Sequence, residues 1–156
     1  MKKTTVKILT AAVSICILLS VCACVSENFA SYTSEQQVNG ITITETLSFN
    51  AKGDVIYQIT DNIKLDFTGF EEEERTELKD TFKASITDIY SAIEGVTCTD
   101  DMTDGIYTIN AVIPSQEDIL NKIAESGLMQ FTGDSKVLSL SVTGESLEKS
   151  GYTKTE

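Results

Sequence analysis

Two neighbouring stretches of the chain place apolar residues at every second position. In residues 41–49 this series is Ile41, Ile43, Leu47 and Phe49, with Glu45 as the exception, and Thr or Ser fills the positions between. After a turn at residues 50–54, the longer stretch 55–67 has the inward series Val55, Tyr57, Ile59, Ile63, Leu65 and Phe67. Alternation of period two is typical of half-buried β-strands, so the two stretches predict a hairpin.

The period changes to that of a helix after Phe67. Thr68 and Glu71 fit a capping box, with Thr68 as the N-cap. Apolar residues then recur at spacings of three and four, and Gly95 ends the stripe formed by Leu78, Phe82, Ile86, Ile89 and Ile93. The acidic run at residues 71–74 falls in the first helical turn, where negative charge complements the helix dipole, and we do not interpret it as a metal site.

The remaining pattern predicts a second hairpin and two more helices. Residues 96–102 and 106–113 alternate around Asp104-Gly105, and a short helix with Ile119, Leu120 and Ile123 inward ends at Gly127. Residues 138–142 alternate like a strand, but the spacing up to Gly151 favours a last helix near residues 139–150. The predicted order is ββαββαα, an α+β domain in which helices cover one face of a four-stranded antiparallel sheet.

The N-terminus is typical of a bacterial lipoprotein precursor. Lys2, Lys3 and Lys7 precede an apolar run of fourteen residues, 8–21, which is shorter than the roughly 20 residues that span a membrane. The segment Val21-Cys22-Ala23-Cys24 resembles a lipobox, with an aliphatic residue at −3 and a small residue at −1. We therefore predict a signal peptide at 1–23 and attachment of diacylglycerol to the thiol of Cys24. Because two acyl chains give stable anchoring, the mature protein should stay on the membrane.

Two alternatives to this assignment stay open. Cys22 is the competing thiol, although it would place the bulkier Val21 at −1, and an ordinary secretory signal cleaved near Ala23 would leave Cys24 without a lipid. We expect residues 24–37 to form a flexible tether and residues 38–156 to form one domain on the extracytoplasmic face of the membrane. The sequence does not distinguish a Gram-positive surface from a Gram-negative envelope.

Charge and composition exclude several classes of function. The segment before Cys24 holds three of the 12 basic residues and none of the 24 acidic ones, so its removal changes the formal charge from −12 to about −15. Such acidity argues against nucleic acid and against flat adsorption to anionic lipid as partners. The chain has no His and no Trp, which excludes a histidine-based catalytic triad and a histidine metal site.

The candidate chemical groups that remain are weak. Cys98 shares a predicted apolar face with Val96, where a thiol has a raised pKa and little reactivity. Asp100, Asp101 and Asp104 resemble the start of a calcium loop, but Met102 and Ala111 occupy two ligand positions. We therefore expect no catalytic residue, no cofactor and no metal site.

The predicted outer face of the sheet is the most promising surface for binding. It is rich in hydroxyl and amide groups, which come from Thr42, Thr44, Thr46, Ser48, Gln58, Thr60, Asn62, Thr97, Thr99, Thr108 and Asn110. Such a face fits a glycan or an extended peptide, and it is equally the ordinary solvated side of an antiparallel sheet. The favoured function is a non-catalytic binding module for an envelope protein or wall component, and the alternative is a small enzyme or calcium-dependent module that uses acidic residues.

Three short motifs carry a family resemblance. Asn39-Gly40-Ile41-Thr42 begins the first predicted hairpin, Ile93-Glu94-Gly95-Val96-Thr97 follows the long helix, and Leu147-Glu148-Lys149-Ser150-Gly151-Tyr152 lies near the C-terminus. Together with the lipobox, they resemble the YehR-type small lipoproteins, a bacterial family of unknown function. The resemblance covers nearly the whole mature chain and implies a membrane-anchored α+β domain with a terminal helix. It carries over no catalytic residue.

Overall fold

The structure of the protein, a computed structural model, describes residues 26–131 and 137–156. The strands are β1 (Glu27–Val38), β2 (Ile41–Lys52), β3 (Val55–Asp66), β4 (Thr97–Thr103), β5 (Ile106–Pro114) and β6 (Thr153–Lys154). Helix α1 contains two α-helical parts, Glu72–Phe82 and Asp88–Ala92, joined by a π-helical turn at Lys83–Thr87. Helices α2 and α3 are Glu117–Ser126 and Leu140–Lys149. The strands form one antiparallel sheet in the order β4-β5-β3-β2-β1-β6.

The prediction of a four-stranded sheet is wrong, because the described residues form six strands. The α+β class is correct, but two further strands, β1 and β6, lie beside β2 on one side of the predicted pair of hairpins. Most of the segment that we expected to be a tether, residues 24–37, forms β1, which pairs with β2 over twelve positions. Its period-two pattern is weak, because Ala30 and Tyr32 are its only buried apolar residues. The other missed strand, β6, has only two residues, which pair with Tyr32 and Thr33.

Both predicted hairpins are present, with one change of register. Asp104 and Gly105 have positive φ angles of 53° and 82°, as the tight turn between β4 and β5 requires. In the first hairpin, the strand register shifts between Asn50 and Ala51, so that Ala51 pairs with Ile56. Ile56 is therefore buried, whereas the neighbouring residues Val55 and Tyr57, which we predicted to point inward, are exposed.

The π-helical turn changes which residues of α1 reach the sheet. The helix begins after Glu71, whose backbone N–H donates to the Glu74 carboxylate at 3.1 Å, and not at the predicted N-cap, Thr68. A π turn holds an extra residue per turn and so rotates the helix that follows it. Consequently Tyr90, rather than the predicted Ile89, is buried against the sheet together with Ile93.

All three helices pack on the same face of the sheet, which we call the inner face. Helix α1 covers Leu65, Phe67 and Tyr107, and α2 buries its predicted apolar residues, including Ile123, against Ile59 and Ile113. The predicted last helix is confirmed as α3, and its Gly144 lies against Tyr32 of β1. Within residues 26–131 and 137–156, no helix is long and apolar enough to cross a membrane.

Candidate functional site

Three tyrosine hydroxyls donate hydrogen bonds to carboxylates on the inner face. Tyr90 donates to Asp61 at 2.7 Å, Tyr107 to Asp100 at 3.0 Å and Tyr152 to Glu45 at 2.6 Å. Glu45 was visible in the sequence as the exception in an apolar series, and Asp61 has the same parity as Ile59 and Ile63. The sequence analysis did not single out Asp61, because it is one polar residue within a series of inward apolar residues. The pairing of the tyrosines with these carboxylates could not be predicted from the local sequence, because it depends on how the chain folds.

Asp61 is the most buried carboxylate of this group. The side chain is 2% exposed, and its Oδ1 has no hydrogen-bond partner among the described residues. Burial, with a smaller contribution from the charge of Glu45, raises the pKa of Asp61 to about 7, while the hydrogen bond from Tyr90 opposes the shift. Asp61 therefore changes its protonation state near neutral pH, in contrast to an ordinary aspartate.

Asp100 has a different environment, because it is paired with a lysine. The ammonium group of Lys83 lies 2.9 Å from its Oδ1, and this contact lowers the pKa of Asp100. Asp101, the next residue, points to the opposite face and accepts a hydrogen bond from Thr103 at 2.7 Å. In the part of the chain that the structure describes, no group of three or more Asp, Glu, Cys or His side chains is arranged to hold a metal ion.

Cys98 lies within the residues that the structure describes, whereas Cys24 does not. Cys98 is half-buried on the inner face, and burial, together with the nearby charge of Asp100, raises the pKa of its thiol. A protonated thiol is a poor nucleophile. Cys24, the predicted attachment point of the lipid, lies outside the described residues.

A cavity of about 250 Å³ lies between the inner face and the segment before and within α3. Apolar side chains form most of its lining, among them Leu47, Phe131 and Leu147. The polar part of the lining comes from Glu45, Gln130, Thr143 and Tyr152. The cavity exceeds the roughly 150 Å³ that accommodates a benzene molecule in an apolar protein core. Besides the outer face, it is a further place at which a ligand could be bound.

The outer face of the sheet carries the polar residues that the alternation predicted. Across five strands, two adjacent rows of side chains are formed by Thr33, Thr46, Asn62, Asn110 and Thr99, and by Ser31, Ser48, Thr60, Val112 and Thr97. Neither row contains a charged residue. The next row, in contrast, includes Glu35, Lys64 and Asp101.

The uncharged rows present free hydrogen-bonding groups at their centre. At the β1 side, the hydroxyls of Thr33 and Thr46 are 3.0 Å apart, and so bond to each other. Towards the middle of the sheet lie Thr60, Asn62 and Asn110, each partly exposed. Because all three helices pack on the inner face, none of them covers Thr60, Asn62 or Asn110, whereas Ser31 at the β1 side is buried. We call the two rows the neutral outer surface.

The comparisons with known proteins support the fold. The NMR structure of the Escherichia coli YehR protein, a structural genomics target, is similar with a TM-score of 0.57 and 17% identity, over 83% of this chain and 93% of that one. An NMR structure of a protein from Streptococcus pneumoniae TIGR4 has a TM-score of 0.54 and 10% identity, over 83% and 86% of the two chains. No family model and no curated protein matches the chain. The predicted resemblance is thus confirmed for a YehR-like fold, and at these identities for the fold alone.

Proposed function

We propose that this chain is a bacterial envelope lipoprotein, anchored through Cys24, whose domain binds a neutral polysaccharide of the cell wall on the neutral outer surface. The observation that carries the proposal is the pair of uncharged rows across five strands. The chain has 24 acidic residues and a formal charge of −12, so a wide surface without charge is notable in it. A charged ligand would find no opposite charge to attract it on such a surface, whereas a neutral ligand needs none.

The chemistry of the side chains favours a sugar polymer over a peptide. A peptide bound by a sheet usually adds to an edge strand through its backbone. The face offers side chains instead, and the hydroxyl of Thr60 and the amides of Asn62 and Asn110 can each donate and accept hydrogen bonds. Sugar hydroxyls do the same, so a glycan strand lying across these rows is matched in polarity and in hydrogen-bonding capacity.

The proposed role requires no reaction. Cys98 has a raised thiol pKa, and the inner-face carboxylates of Asp61, Asp100 and Glu45 are each bound by a tyrosine. The contact between Tyr90 and Asp61 holds α1 on the sheet, whereas Tyr107 and Asp100 join β5 to β4, and Tyr152 joins the C-terminal segment to Glu45 of β2. The outer face is left free of these contacts. We propose a non-catalytic binding module rather than an enzyme or a calcium-dependent protein.

Anchoring is tested with a labelled fatty acid in growing cells. We expect label to enter the wild-type chain and the Cys22→Ala variant and to be absent from Cys24→Ala, because the thioether needs the thiol at the cleavage site. The measurement is radioactivity or click fluorescence of the immunoprecipitated protein. Label on Cys24→Ala would contradict the assignment of the thiol, and absence of label from all three would contradict lipidation itself.

Glycan binding is tested by co-sedimentation of the detergent-extracted protein with purified, lipid-free cell walls. The triple variant Thr60→Ala, Asn62→Ala, Asn110→Ala should weaken binding about tenfold or more, because each lost hydrogen bond contributes roughly 1 kcal/mol. A matched control removes three exposed polar groups from the helices, at Thr76, Thr81 and Asn121. Equal binding of both variants would contradict the assignment of the surface.

A further inference from the structure

The start of β1 fixes how far the domain can lie from the lipid. Strand β1 begins at Glu27, three residues after Cys24, and an extended chain spans at most about 3.6 Å per residue. The first residue of the sheet therefore lies within roughly 11 Å of the acylated cysteine. This proximity rests on the proposed anchor, and it replaces most of the short flexible tether that we expected at residues 24–37.

Exposed apolar side chains gather at the same end of the sheet. We call this the basal end, and it contains the start of β1, the turn between β2 and β3, and the start of α3. Phe29, Val55 and Tyr57 are 49%, 48% and 43% exposed there. Val142 is 62% exposed in the first turn of α3, and that turn is joined to the β2–β3 turn by a hydrogen bond from Ser141 to Asp54 at 2.8 Å.

Two charged side chains of the basal end, Lys52 and Glu27, pair with each other, and a third, Asp54, accepts hydrogen bonds from uncharged groups. The ammonium group of Lys52 lies 4.0 Å from the Glu27 carboxylate and 5.6 Å from the centre of the Tyr57 ring. Tyr57 also donates a hydrogen bond to Glu27 at 3.0 Å. The Asp54 carboxylate accepts hydrogen bonds from Ser139 and Ser141 at the start of α3, and this lowers its pKa.

We infer that the basal end rests on the lipid surface, with Phe29, Val55, Tyr57 and Val142 in the headgroup region. Aromatic side chains with one apolar and one polar end favour this region of a bilayer, and Tyr57 has that character. The contact is small and end-on, which suits a chain too acidic to lie flat on anionic lipid. The twelve-residue strands then rise about 40 Å from the membrane, and the neutral outer surface faces sideways towards the wall.

The opposite end of the sheet provides an internal comparison. Ile106 is 39% exposed there, beside the turn between β4 and β5, and Val38 is 44% exposed at the end of β1. Both lie a strand length away from Glu27, at roughly 40 Å, and so should stay in water. The chain has no Trp, so a single introduced Trp reports on one site without background.

The experiment uses the full lipidated chain in phosphatidylcholine vesicles with brominated acyl chains, which quench nearby Trp fluorescence. Phe29→Trp and Tyr57→Trp should show a blue shift and strong quenching, and Ile106→Trp should show neither. All three positions are exposed, so the variants should fold, which circular dichroism verifies. Adding Val55→Asp and Val142→Asp to the Phe29→Trp variant should reduce quenching while the protein still floats with the vesicles.

The outcomes separate this inference from the proposed anchor. Flotation with equally weak quenching at positions 29, 57 and 106 would overturn the inference alone. The basal end would then be available to bind a protein or glycan partner instead of lipid. Loss of flotation of the acylated chain would overturn the anchor and the inference together. Quenching restricted to positions 29 and 57 would support the end-on arrangement.

Discussion

We expect the Tyr90→Phe substitution to lower the free energy of unfolding by about 2 kcal/mol above pH 7 and by distinctly less at pH 5. The hydroxyl of Tyr90 is the hydrogen-bond donor that the structure gives to the buried carboxylate of Asp61, at 2.7 Å. Hydrogen bonds to ionised groups are worth more than those between neutral groups. The loss should therefore be largest where Asp61 is ionised in the folded state.

The direction of this pH dependence follows from the raised pKa of Asp61. It is about 7 in the fold, compared with an ordinary value of 3.8, so the folded protein holds a proton that the unfolded chain has released between these two pH values. The stability contributed by that proton is fully present below pH 3.8 and is lost as the pH rises through about 7. The wild-type protein should become less stable from pH 5 to pH 8, and Asp61→Asn should flatten that change.

Urea unfolding at pH 5 and pH 8 provides the measurement, and Tyr107→Phe provides the matched control. Tyr107 also donates to a carboxylate, that of Asp100, but Lys83 pairs with Asp100 and lowers its pKa. The stability lost in Tyr107→Phe should therefore be similar at both pH values. An equal loss in Tyr90→Phe at pH 5 and pH 8 would contradict the titration of Asp61 in this range.

The second large loss of stability is expected for the substitution Gly144→Ala in α3. A Cβ atom at this position would lie 3.0 Å from Cζ of Tyr32 and closer still to the Tyr32 hydroxyl. The Tyr32 ring is buried and packs edge-to-face on Phe49, so it has little room to move. Overpacking typically costs about 1–3 kcal/mol, against a gain of about 1 kcal/mol in helix propensity, so Gly144→Ala should destabilise the fold by up to about 2 kcal/mol.

Two variants make this prediction specific. Tyr32→Phe removes the atom closest to the added methyl group, so Gly144→Ala should cost less in the Tyr32→Phe background than in the wild type. Gly69→Ala should be nearly neutral, because nothing lies within 4 Å of a Cβ at that position. The measurement is thermal unfolding of the wild type and four variants, namely Gly144→Ala, Tyr32→Phe, their combination and Gly69→Ala. A stabilising Gly144→Ala would show that α3 does not pack closely on β1.

The hairpins and helices could be predicted because each repeats its hydrophobic period several times. Strand β2 has five buried or partly buried apolar positions on one face, whereas β1 has only Ala30 and Tyr32 buried. Strand β1 pairs with β2 along its whole length and with only the two residues of β6 on its other side. Because backbone hydrogen bonds hold it, it needs few apolar side chains, so its sequence resembles a linker. Ile56 and Tyr57 show a second limit, because a local irregularity inverts side-chain parity without any change in composition.

The outer face was predictable and the inner polar pairs were not. Alternation alone places Thr60, Asn62 and Asn110 on the side away from the helices, and the register then aligns them. The contact between Asp61 and Tyr90, in contrast, depends on the π-helical turn, which rotates Tyr90 towards the sheet. Its sequence, Lys83–Thr87, gives no sign of such a turn.

The most direct test of the proposed function is NMR titration of the ¹⁵N-labelled protein with soluble, neutral fragments of cell-wall glycan. The account predicts amide shift changes along the two rows of the neutral outer surface, centred on Thr60, Asn62 and Asn110. The resonances of Glu45, Leu147 and Tyr152 around the inner cavity should stay in place. Shift changes confined to that cavity, or none at all in a folded protein, would contradict the proposed binding surface.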